Sequence, residues 1–507
     1  MNYYLLAPEI CLLVVAISVL FLDLFTDRKG MLAGISILGL ITSIILAITL
    51  WDRYPGIDQA TGLFNNTIFN GMLVADEFAI FFKVLFAGAG ILVMLASRDY
   101  ISKLTRFQGE YHTLILLSII GMMLMAASRD LIPLYLSVEL ASLPLYALVG
   151  FLKDGKSTEA SIKYLLLGGV ASATLLFGMA LMYGLTGSND LAGISKAVVD
   201  MGLGGIVDSP ALLMGIIFLI SGFGFKIACV PFQMWVPDVY EGAPTPITAF
   251  LSVASKAAGF AIILRVFLEG FGAAEVVRTD WALVFGVLAA VTMTIGNVVA
   301  ISQPNIKRML GYSGIAQAGY VLVGMAAVTA IWSSIEDGGS SYGPTGVLFF
   351  LASYTITNLG AFAAIIAISN KVGTDLIDDY AGIGKRAPLL ALGLTLCLIS
   401  LTGIPPSVGF LAKFYLFTTA VSHDLIWLVV IAVLNTIISA YYYLRVVKVM
   451  WFNEAVSEEK VPSTWSLRLA LFLACLGVLL LFFIPTLLID PAQSVFDSSI
   501  GHLLPLP

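Results

Sequence analysis

Charged residues are scarce in this chain, making up 11% of its 507 residues against about 25% in a soluble domain. Hydrophobic residues make up 59%. Most of the sequence falls in apolar runs of about 20 residues, the length that crosses a bilayer as a helix. This composition excludes a set of soluble domains and predicts a polytopic membrane protein that contacts the lipid bilayer.

Residues that bind metals or form disulfides are also few. The four cysteines and three histidines are scattered through the chain, with no CxxC pair and no spacing typical of a metal site. The sequence contains no GxGxxG fingerprint and no basic run of the kind that binds nucleic acid, and its net charge is -6. We therefore expect no metal, no redox group and no nucleic-acid partner for this chain.

The apolar runs predict about fourteen transmembrane helices. The first run lacks the basic segment of a cleavable signal peptide, so we expect it to be retained. Only helices can repeat in this way through lipid, because each one satisfies its own backbone hydrogen bonds. The predicted spans are 4–24, 31–50, 77–96, 111–128, 131–151, 161–184, 211–236, 246–268, 281–302, 307–331, 345–370, 387–422, 425–451 and 467–489.

Lysine and arginine are distributed unevenly between the connecting loops. The loops after the odd-numbered spans, with their flanks, hold 17 basic residues, whereas the even-numbered loops hold 4. Because basic residues concentrate on the cytoplasmic side, both termini are predicted to lie on the non-cytoplasmic side. The first set comprises Arg28, Lys29, Arg98, Lys103, Arg106, Lys153, Lys156, Lys163, Lys307, Arg308, Lys371, Lys385, Arg386, Arg445, Lys448, Lys460 and Arg468, and the second comprises Arg53, Arg129, Lys196 and Arg278.

Prolines interrupt two of the predicted spans. In the seventh, Pro231 cannot donate a hydrogen bond to the carbonyl of Ile227, which predicts that the helix opens just after Lys226. In the twelfth, GIPPSVG interrupts a run, 387–421, that is too long for one crossing. Broken helices five spans apart are typical of inverted repeats that hold an ion site at the break. The predicted parts of this single membrane domain (1–507) are 1–110 with spans 1–3, 111–268 with spans 4–8 as the first repeat, 281–451 with spans 9–13 as the second repeat, and 467–489 with span 14.

A buried carboxyl group and a buried lysine are the first candidates for chemistry. Glu139 lies near the middle of span 5, and Lys226 lies beside the break in span 7. A lysine at bilayer depth costs about 2.5–3.5 kcal/mol on insertion scales, so a buried charge seeks its opposite. Glu139 alone is also compatible with a structural carboxylate. With three deep lysines in the chain, we favour a Glu139–Lys226 pair that takes part in proton transfer.

Two further lysines lie deep in predicted spans. Lys256 is near the centre of span 8, among small residues that permit close helix packing and leave room for water. Lys413 follows the break in span 12. For both, the structural alternative is a lysine that snorkels to an interface, which is difficult from these depths. We interpret both as members of the proton pathway.

The other ionisable residues in the spans are less informative. Lys83 lies at a shallower depth in span 3, where structural and functional roles are equally compatible with the sequence. Lys163 lies at the cytoplasmic start of span 6, either as a solvated helix end or as a proton uptake point. Arg265 is near a helix end, from which we expect it to reach the interface, and Glu9 in span 1 is expected to be structural.

Four stretches that contain or adjoin these residues resemble one family. They are ELASLPLYALVG from Glu139, PFQMWVPDVYEGAPTPITAFLSVASK ending at Lys256, IKRMLGYSGIAQAGYVLVG at 306–324, and LTGIPPSVGFLAKFYLF around Lys413. Over nearly its whole length the chain is similar to the antiporter-like membrane subunits of respiratory complex I. Within that family it is most similar to the subunits N of bacterial NADH–quinone oxidoreductase (NDH-1), because SLPLY and PDVYEGAPTP favour them over their larger paralogues.

The resemblance implies a role for each of these residues. Glu139 matches the family's helix-5 glutamate, Lys226 the lysine at the break of helix 7, Lys256 the relay lysine of helix 8, and Lys413 the lysine of broken helix 12. A proton would enter from the cytoplasm and load the central lysine. Making or breaking the Glu139–Lys226 pair would then bias transfer along Lys256 towards Lys413. The energy would come from quinone reduction in neighbouring subunits.

The resemblance also implies how the chain is partnered. It would be a non-redox subunit of a proton-translocating NADH:quinone oxidoreductase and would bind no cofactor itself. Quinone, NADH, FMN and iron–sulfur clusters would belong to other subunits. Its partners would be other membrane-arm subunits rather than a soluble substrate, and its location would be the bacterial inner (plasma) membrane.

Two positions depart from the family pattern. Gln233 stands where most relatives carry a histidine, and Gln317 stands where many do. Glutamine can hold water but cannot take up a proton near neutral pH. We therefore leave both residues out of the catalytic set.

Two other functions stay open at this point. A subunit of an Mrp-type multisubunit cation/proton antiporter would share the fold and the buried lysines without a redox partner, although SLPLY argues against it. A scaffold bundle that only fills the membrane arm would bury four ionisable residues at considerable cost.

Overall fold

The computed structural model of the chain describes residues 3–26, 30–51, 66–101, 107–202, 208–272, 275–331, 342–455 and 459–495. Within these ranges the chain is almost entirely helical, with one short antiparallel hairpin that pairs Thr67–Ile68 with Leu73–Val74. Five basic residues used in the loop count lie outside the described ranges, namely Arg28, Lys29, Arg53, Lys103 and Arg106.

Helices occupy all the predicted spans, which confirms the all-α polytopic fold. In the described part of the chain, twelve helices are long and apolar enough to cross a membrane. The two other predicted spans correspond to α13 and to the shorter pair α16 and α17. The helices are α1 Ala7–Phe25, α2 Gly30–Ile48, α3 Glu77–Ile101, α4 Gln108–Ala127, α5 Leu131–Val149, α6 Gly155–Thr186, α7 Leu191–Asp200, α8 Pro210–Ile227, α9 Val236–Gly242, α10 Thr245–Phe250, α11 Lys256–Arg265, α12 Glu275–Ile301, α13 Ile306–Ile331, α14 Tyr342–Val372, α15 Ile383–Arg386, α16 Pro388–Thr402, α17 Val408–Ser422, α18 Ile426–Phe452, α19 Trp465–Phe483 and α20 Thr486–Val495.

Both predicted helix breaks are confirmed. The helix α8 ends at Ile227, one residue after Lys226, and Ala228 caps it in the left-handed conformation with φ of 61°. The helix α16 ends at Thr402 and α17 begins at Val408, so the GIPPSVG segment separates them. Gly403 caps α16 with φ of 88°, a conformation that glycine adopts without steric cost. The grouping of the helices into two inverted repeats, with the domain limits given above, stays a prediction.

One helical run, Thr245–Gly270, is buried along its whole length and contains α10 and α11. It packs against α3, α4, α8 and α14. A π-helical turn, Leu251–Ser255, joins α10 to α11 and ends directly before Lys256. Single π-helical turns within α-helices are frequent at functional sites. This central helix therefore places Lys256 among the surrounding helices rather than in lipid.

Candidate functional site

Glu139 lies on α5 and Lys226 lies on α8, and the hydrogen bond of Lys226 goes to a serine hydroxyl rather than to Glu139. Lys226 is 6% exposed, and its Nζ donates a hydrogen bond to Ser142 Oγ at 2.5 Å. Ser142 follows Glu139 by three residues, so both face the same side of α5. The Glu139 carboxylate is close enough for its charge to act on Lys226, while its Oε1 accepts a hydrogen bond from Ser172. Lys226 and Glu139 thus each contact a different serine, Ser142 and Ser172, rather than forming the direct ion pair expected from the sequence.

The stem of Lys226 packs against the helix that carries Lys256. A Cβ atom placed on Gly259 would lie 3.4 Å from both Cβ and Cγ of Lys226. Gly259 follows Lys256 by three residues and therefore lies on the same face of α11. The Lys226 stem therefore packs against the face of α11 that also carries Lys256.

Lys256 differs from the other deep lysines in its lack of a hydrogen-bond partner among the described residues. It is 3% exposed. The nearest aromatic contact is Tyr240, whose ring centroid lies 5.7 Å from Nζ. An ammonium group buried in this way is costly unless it is hydrated or gives up its proton.

Gly314 of α13 lies beside both Lys256 and Tyr354. A Cβ atom on Gly314 would lie 2.7 Å from Lys256 Nζ and 3.2 Å from Tyr354 Oη. Both polar atoms therefore approach the same backbone position, where a side chain would displace the lysine nitrogen. Tyr354 Oη also accepts a hydrogen bond from Asn358 Nδ2 at 3.2 Å, and Asn358 donates to Ser252 Oγ at 2.7 Å.

Tyr354 and Lys413 line the same small cavity. The cavity volume available to the centre of a water molecule is about 10 Å³, which is enough for about one water molecule. The polar residues around it are Gln317, Ser353, Tyr354, Thr357, Ser400 and Lys413. A cavity with this lining offers a hydrogen-bonded connection from Tyr354 to Lys413.

Lys413 is buried in the second turn of α17 and is 5% exposed. Its Nζ donates to the carbonyl oxygen of Thr402 at 2.9 Å, at the end of α16. The Tyr320 ring centroid lies 4.4 Å from the same nitrogen. Gln317 lies nearby and donates to the Leu401 carbonyl at 3.0 Å, which agrees with a supporting role for this glutamine.

Lys163 lies in a partly exposed group of charges. Its Nζ contacts Glu159 at 2.7 Å on α6 and Asp238 at 2.8 Å on α9. The other oxygen of Asp238 contacts Arg308 of α13 at 2.9 Å. The hydrogen bond from Lys163 holds the pKa of Asp238 below its usual value; partial burial opposes this effect and Arg308 adds to it. This group ties the short helix α9 to both halves of the chain.

Lys83 lies apart from the other predicted site residues. Its Nζ contacts Glu9 Oε1 at 2.8 Å between α3 and α1, and both side chains are buried. A buried charge is tolerated when an opposite charge lies beside it. The geometry agrees with a structural role for both residues.

The expectation that Arg265 reaches the membrane interface is wrong. Arg265 is 3% exposed, and its guanidinium contacts both oxygens of Asp76 at 2.6 and 2.9 Å. It also contacts Glu269 at 2.7 Å, and Glu269 in turn accepts from Arg129 at 2.7 Å. Two arginines and two carboxylates therefore balance their charges inside the protein, where a bidentate pair is strongest. A single arginine in an apolar run gives no sign of partners that lie more than a hundred residues away.

Sequence reasoning also missed the neutral residues that accompany the lysines. Ser142 and Tyr320 contact Lys226 and Lys413, and Tyr354 and Asn358 are hydrogen-bonded to each other near Lys256. A polar residue at mid-span is the signal that could have identified them, since it is expensive unless hydrogen-bonded.

Comparison with known proteins identifies the family. The profile of the family described as NADH:quinone oxidoreductase/Mrp antiporter, transmembrane, matches residues 128–439. The NADH-quinone oxidoreductase subunit N of Dehalococcoides mccartyi is 47% identical over 95% of this chain and 97% of its own length. A chain of respiratory complex I from Thermus thermophilus superposes with a TM-score of 0.76 at 27% identity, covering 96% of this chain and 99% of its own.

The fold alone does not separate the two branches of this family. A chain of the Mrp complex from Dietzia sp. superposes with a TM-score of 0.82 over all of both chains, but at 20% identity. The sequence relationship to subunit N is far closer. The chain belongs to the NADH:quinone oxidoreductase/Mrp antiporter family of membrane subunits, in the branch of the NADH-quinone oxidoreductase subunits N.

Proposed function

We propose that this chain is the proton-translocating membrane subunit of an NADH–quinone oxidoreductase, a complex in which it performs no redox step itself. The observation that carries the proposal is the burial of Lys226, Lys256 and Lys413 without a carboxylate at ion-pair distance among the described residues. Lys226 contacts Ser142 and packs on the Lys256 helix, and Lys256 and Tyr354 both lie beside Gly314. The family relationship to subunits N supports the same function.

The pathway is proposed to work by loading and releasing lysine protons in turn. A proton taken up near Lys163 would load Lys226, which then exchanges its partner between Ser142 and Glu139. A move of Lys226 towards Glu139 stabilises its protonated form, and a move away favours transfer to Lys256. Moving one proton against the membrane potential costs about 2.3 kcal/mol per 100 mV, so the pathway has to be gated. The pair of Glu139 and Lys226 is the proposed gate.

The remaining parts of the enzyme are assigned to other subunits. Quinone reduction in neighbouring membrane-arm subunits would supply the energy, and NADH, FMN, iron–sulfur clusters and quinone would be bound there. The chain would lie in the bacterial inner membrane with both termini on the non-cytoplasmic side, as the distribution of basic residues predicts. Lys83, paired with Glu9, is proposed to stabilise the first three helices rather than to carry protons.

Reconstitution of the whole complex into vesicles tests the proposal. Lys226→Ala and Glu139→Gln are expected to lower the number of protons moved per quinone reduced, while the complex still assembles. Lys371→Ala is the matched control, because Lys371 is partly exposed and pairs with Glu459 at 2.7 Å on the surface. Normal values of both proton movement and quinone reduction in the two variants would exclude the pair from the pathway. Sodium–proton exchange without any quinone dependence would instead support the antiporter alternative.

A further inference from the structure

The last lysine of the pathway rests on the face of a buried tyrosine. Lys413 Nζ lies 4.4 Å from the Tyr320 ring centroid, within the distance at which a cation is attracted to an aromatic ring. Its hydrogen bond goes to the Thr402 carbonyl. Among the described residues, no carboxylate lies within ion-pair distance of Lys413. The Thr402 carbonyl and the Tyr320 ring are therefore the two groups that contact this ammonium among the described residues.

The Tyr320 ring is held in place by neutral hydrogen bonds from two other helices. Its Oη accepts from Asn297 Nδ2 of α12 at 3.2 Å and from Thr436 Oγ1 of α18 at 3.4 Å. Asn297 is fixed in turn by Tyr442 at 2.9 Å and by Asn435 at 3.2 Å. The ring is fully buried. These contacts fix the orientation of the ring without placing any charge near Lys413.

A tyrosine face differs from a carboxylate in how tightly it holds a proton on lysine. A buried carboxylate stabilises the ammonium form strongly, whereas an aromatic face contributes a smaller attraction from its ring quadrupole. The smaller attraction allows Lys413 to accept a proton in the apolar interior and still to release it. The same arrangement recurs more loosely at Lys256, 5.7 Å from the Tyr240 ring centroid.

We propose that Tyr320 is a positioning residue for Lys413, with the face of its ring holding the ammonium form while a proton passes. This inference rests on the proposed function, in which Lys413 carries protons. The aromatic face stabilises the ammonium form of Lys413, and the phenolic hydroxyl only orients the ring.

Substitutions at position 320 in the reconstituted complex separate the two parts of the tyrosine. Tyr320→Phe keeps the face and is expected to retain most of the coupled proton translocation. Tyr320→Leu removes the face and is expected to lower the rate of proton translocation about threefold to thirtyfold, the range that corresponds to a cation–π interaction. Pentafluorophenylalanine at the same position keeps the shape of the ring but reverses its quadrupole, so it is also expected to lower the rate of proton translocation. This variant tests the ring face even if Tyr320→Leu does not assemble.

Controls distinguish the outcomes. Tyr380→Leu removes another buried tyrosine, which is hydrogen-bonded to Ser369. Among the described cation–π pairs, none involves Tyr380. This variant is expected to leave the proton-to-quinone ratio unchanged. Lys413→Ala is measured in the same vesicles. If Lys413→Ala translocates normally, the proposed pathway itself fails. If Lys413→Ala is impaired while the pentafluorophenylalanine variant is normal, or if Tyr320→Phe is as impaired as Tyr320→Leu, the role assigned to the ring face is wrong.

Discussion

Gly314→Ala is expected to block proton transfer without harming the fold. Gly314 lies in α13, next to both Lys256 Nζ and Tyr354 Oη. A methyl group there would stand 2.7 Å from the lysine nitrogen and 3.2 Å from the tyrosine oxygen. It would push the lysine nitrogen away from its position beside the tyrosine hydroxyl.

The size of the effect follows from these distances. Ordinary contacts of a Cβ atom begin at 3.4 Å, so Lys256 Nζ would have to move by about 0.7 Å, a distance at which packed atoms already lose contact energy. Because a misplacement of about 1 Å at a reacting group can cost about a hundredfold in rate, we expect proton translocation to fall about tenfold to a hundredfold. The protein itself should be unchanged or more stable, since alanine is favoured over glycine within a helix by about 0.5–1 kcal/mol.

The assay measures proton uptake and quinone reduction together in vesicles that contain the purified complex. Gly169→Ala is the matched control, because Gly169 also lies in a membrane-length helix and its Cβ would meet nothing within 4 Å. The expected result is loss of proton uptake in the first variant alone, with equal assembly of both. Normal proton uptake by Gly314→Ala would refute the proposal that protons pass between Lys256 and Tyr354 beside this glycine.

The other predictions concern stability. Arg265→Ala is expected to lower the apparent melting temperature of the purified complex clearly, because removing one partner of a buried ion pair costs about 3–5 kcal/mol. The control Arg386→Ala, at a half-buried arginine whose side chain donates to the Glu459 carbonyl at 2.8 Å, should have a smaller effect, and equal melting of both variants would contradict the role of the ion network. Asp238→Asn is expected to lower it at pH 7 by releasing α9 from Lys163. The pKa of Asp238 is lowered in the folded protein. The difference in melting temperature between wild type and Asp238→Asn should therefore be complete above the pKa of the unfolded chain, about 3.9. It should disappear as the pH falls through the pKa of Asp238 in the folded protein. A difference that persists unchanged at low pH would show that the charge of Asp238 is not responsible.

The sequence was sufficient to predict the helices and both breaks, because these depend on local chemistry. Runs of apolar residues can satisfy their backbone only as helices in lipid. Pro231 removes a hydrogen bond one turn beyond Lys226, and the helix ends at Ile227 as that loss requires. The same reasoning placed Lys413 just after the second break, where α17 begins at Val408.

The partners of the buried charges could not be predicted, because they depend on how distant helices meet. Arg265 finds Asp76 across 189 positions of sequence, and nothing in the run around Arg265 indicates that distance. Lys226 was expected to contact Glu139 directly, yet its nitrogen lies on Ser142. A shift of a few ångströms between α5 and α8 decides between these two partners, and hydropathy does not resolve such a shift.

The identity of those partners separates two classes of buried charge. Lys83 and Arg265 each contact a carboxylate at hydrogen-bond distance, so their charges are balanced in place. Lys226 donates to a hydroxyl and Lys413 to a carbonyl, and Lys256 has no hydrogen-bond partner among the described residues. A neutral partner offsets only part of the cost of burying an ammonium group, which is the property that the proposed relay requires of these three lysines. Because all these cations are buried to a similar extent, burial alone does not distinguish the structural charges from the proposed relay, whereas the nearest partner does.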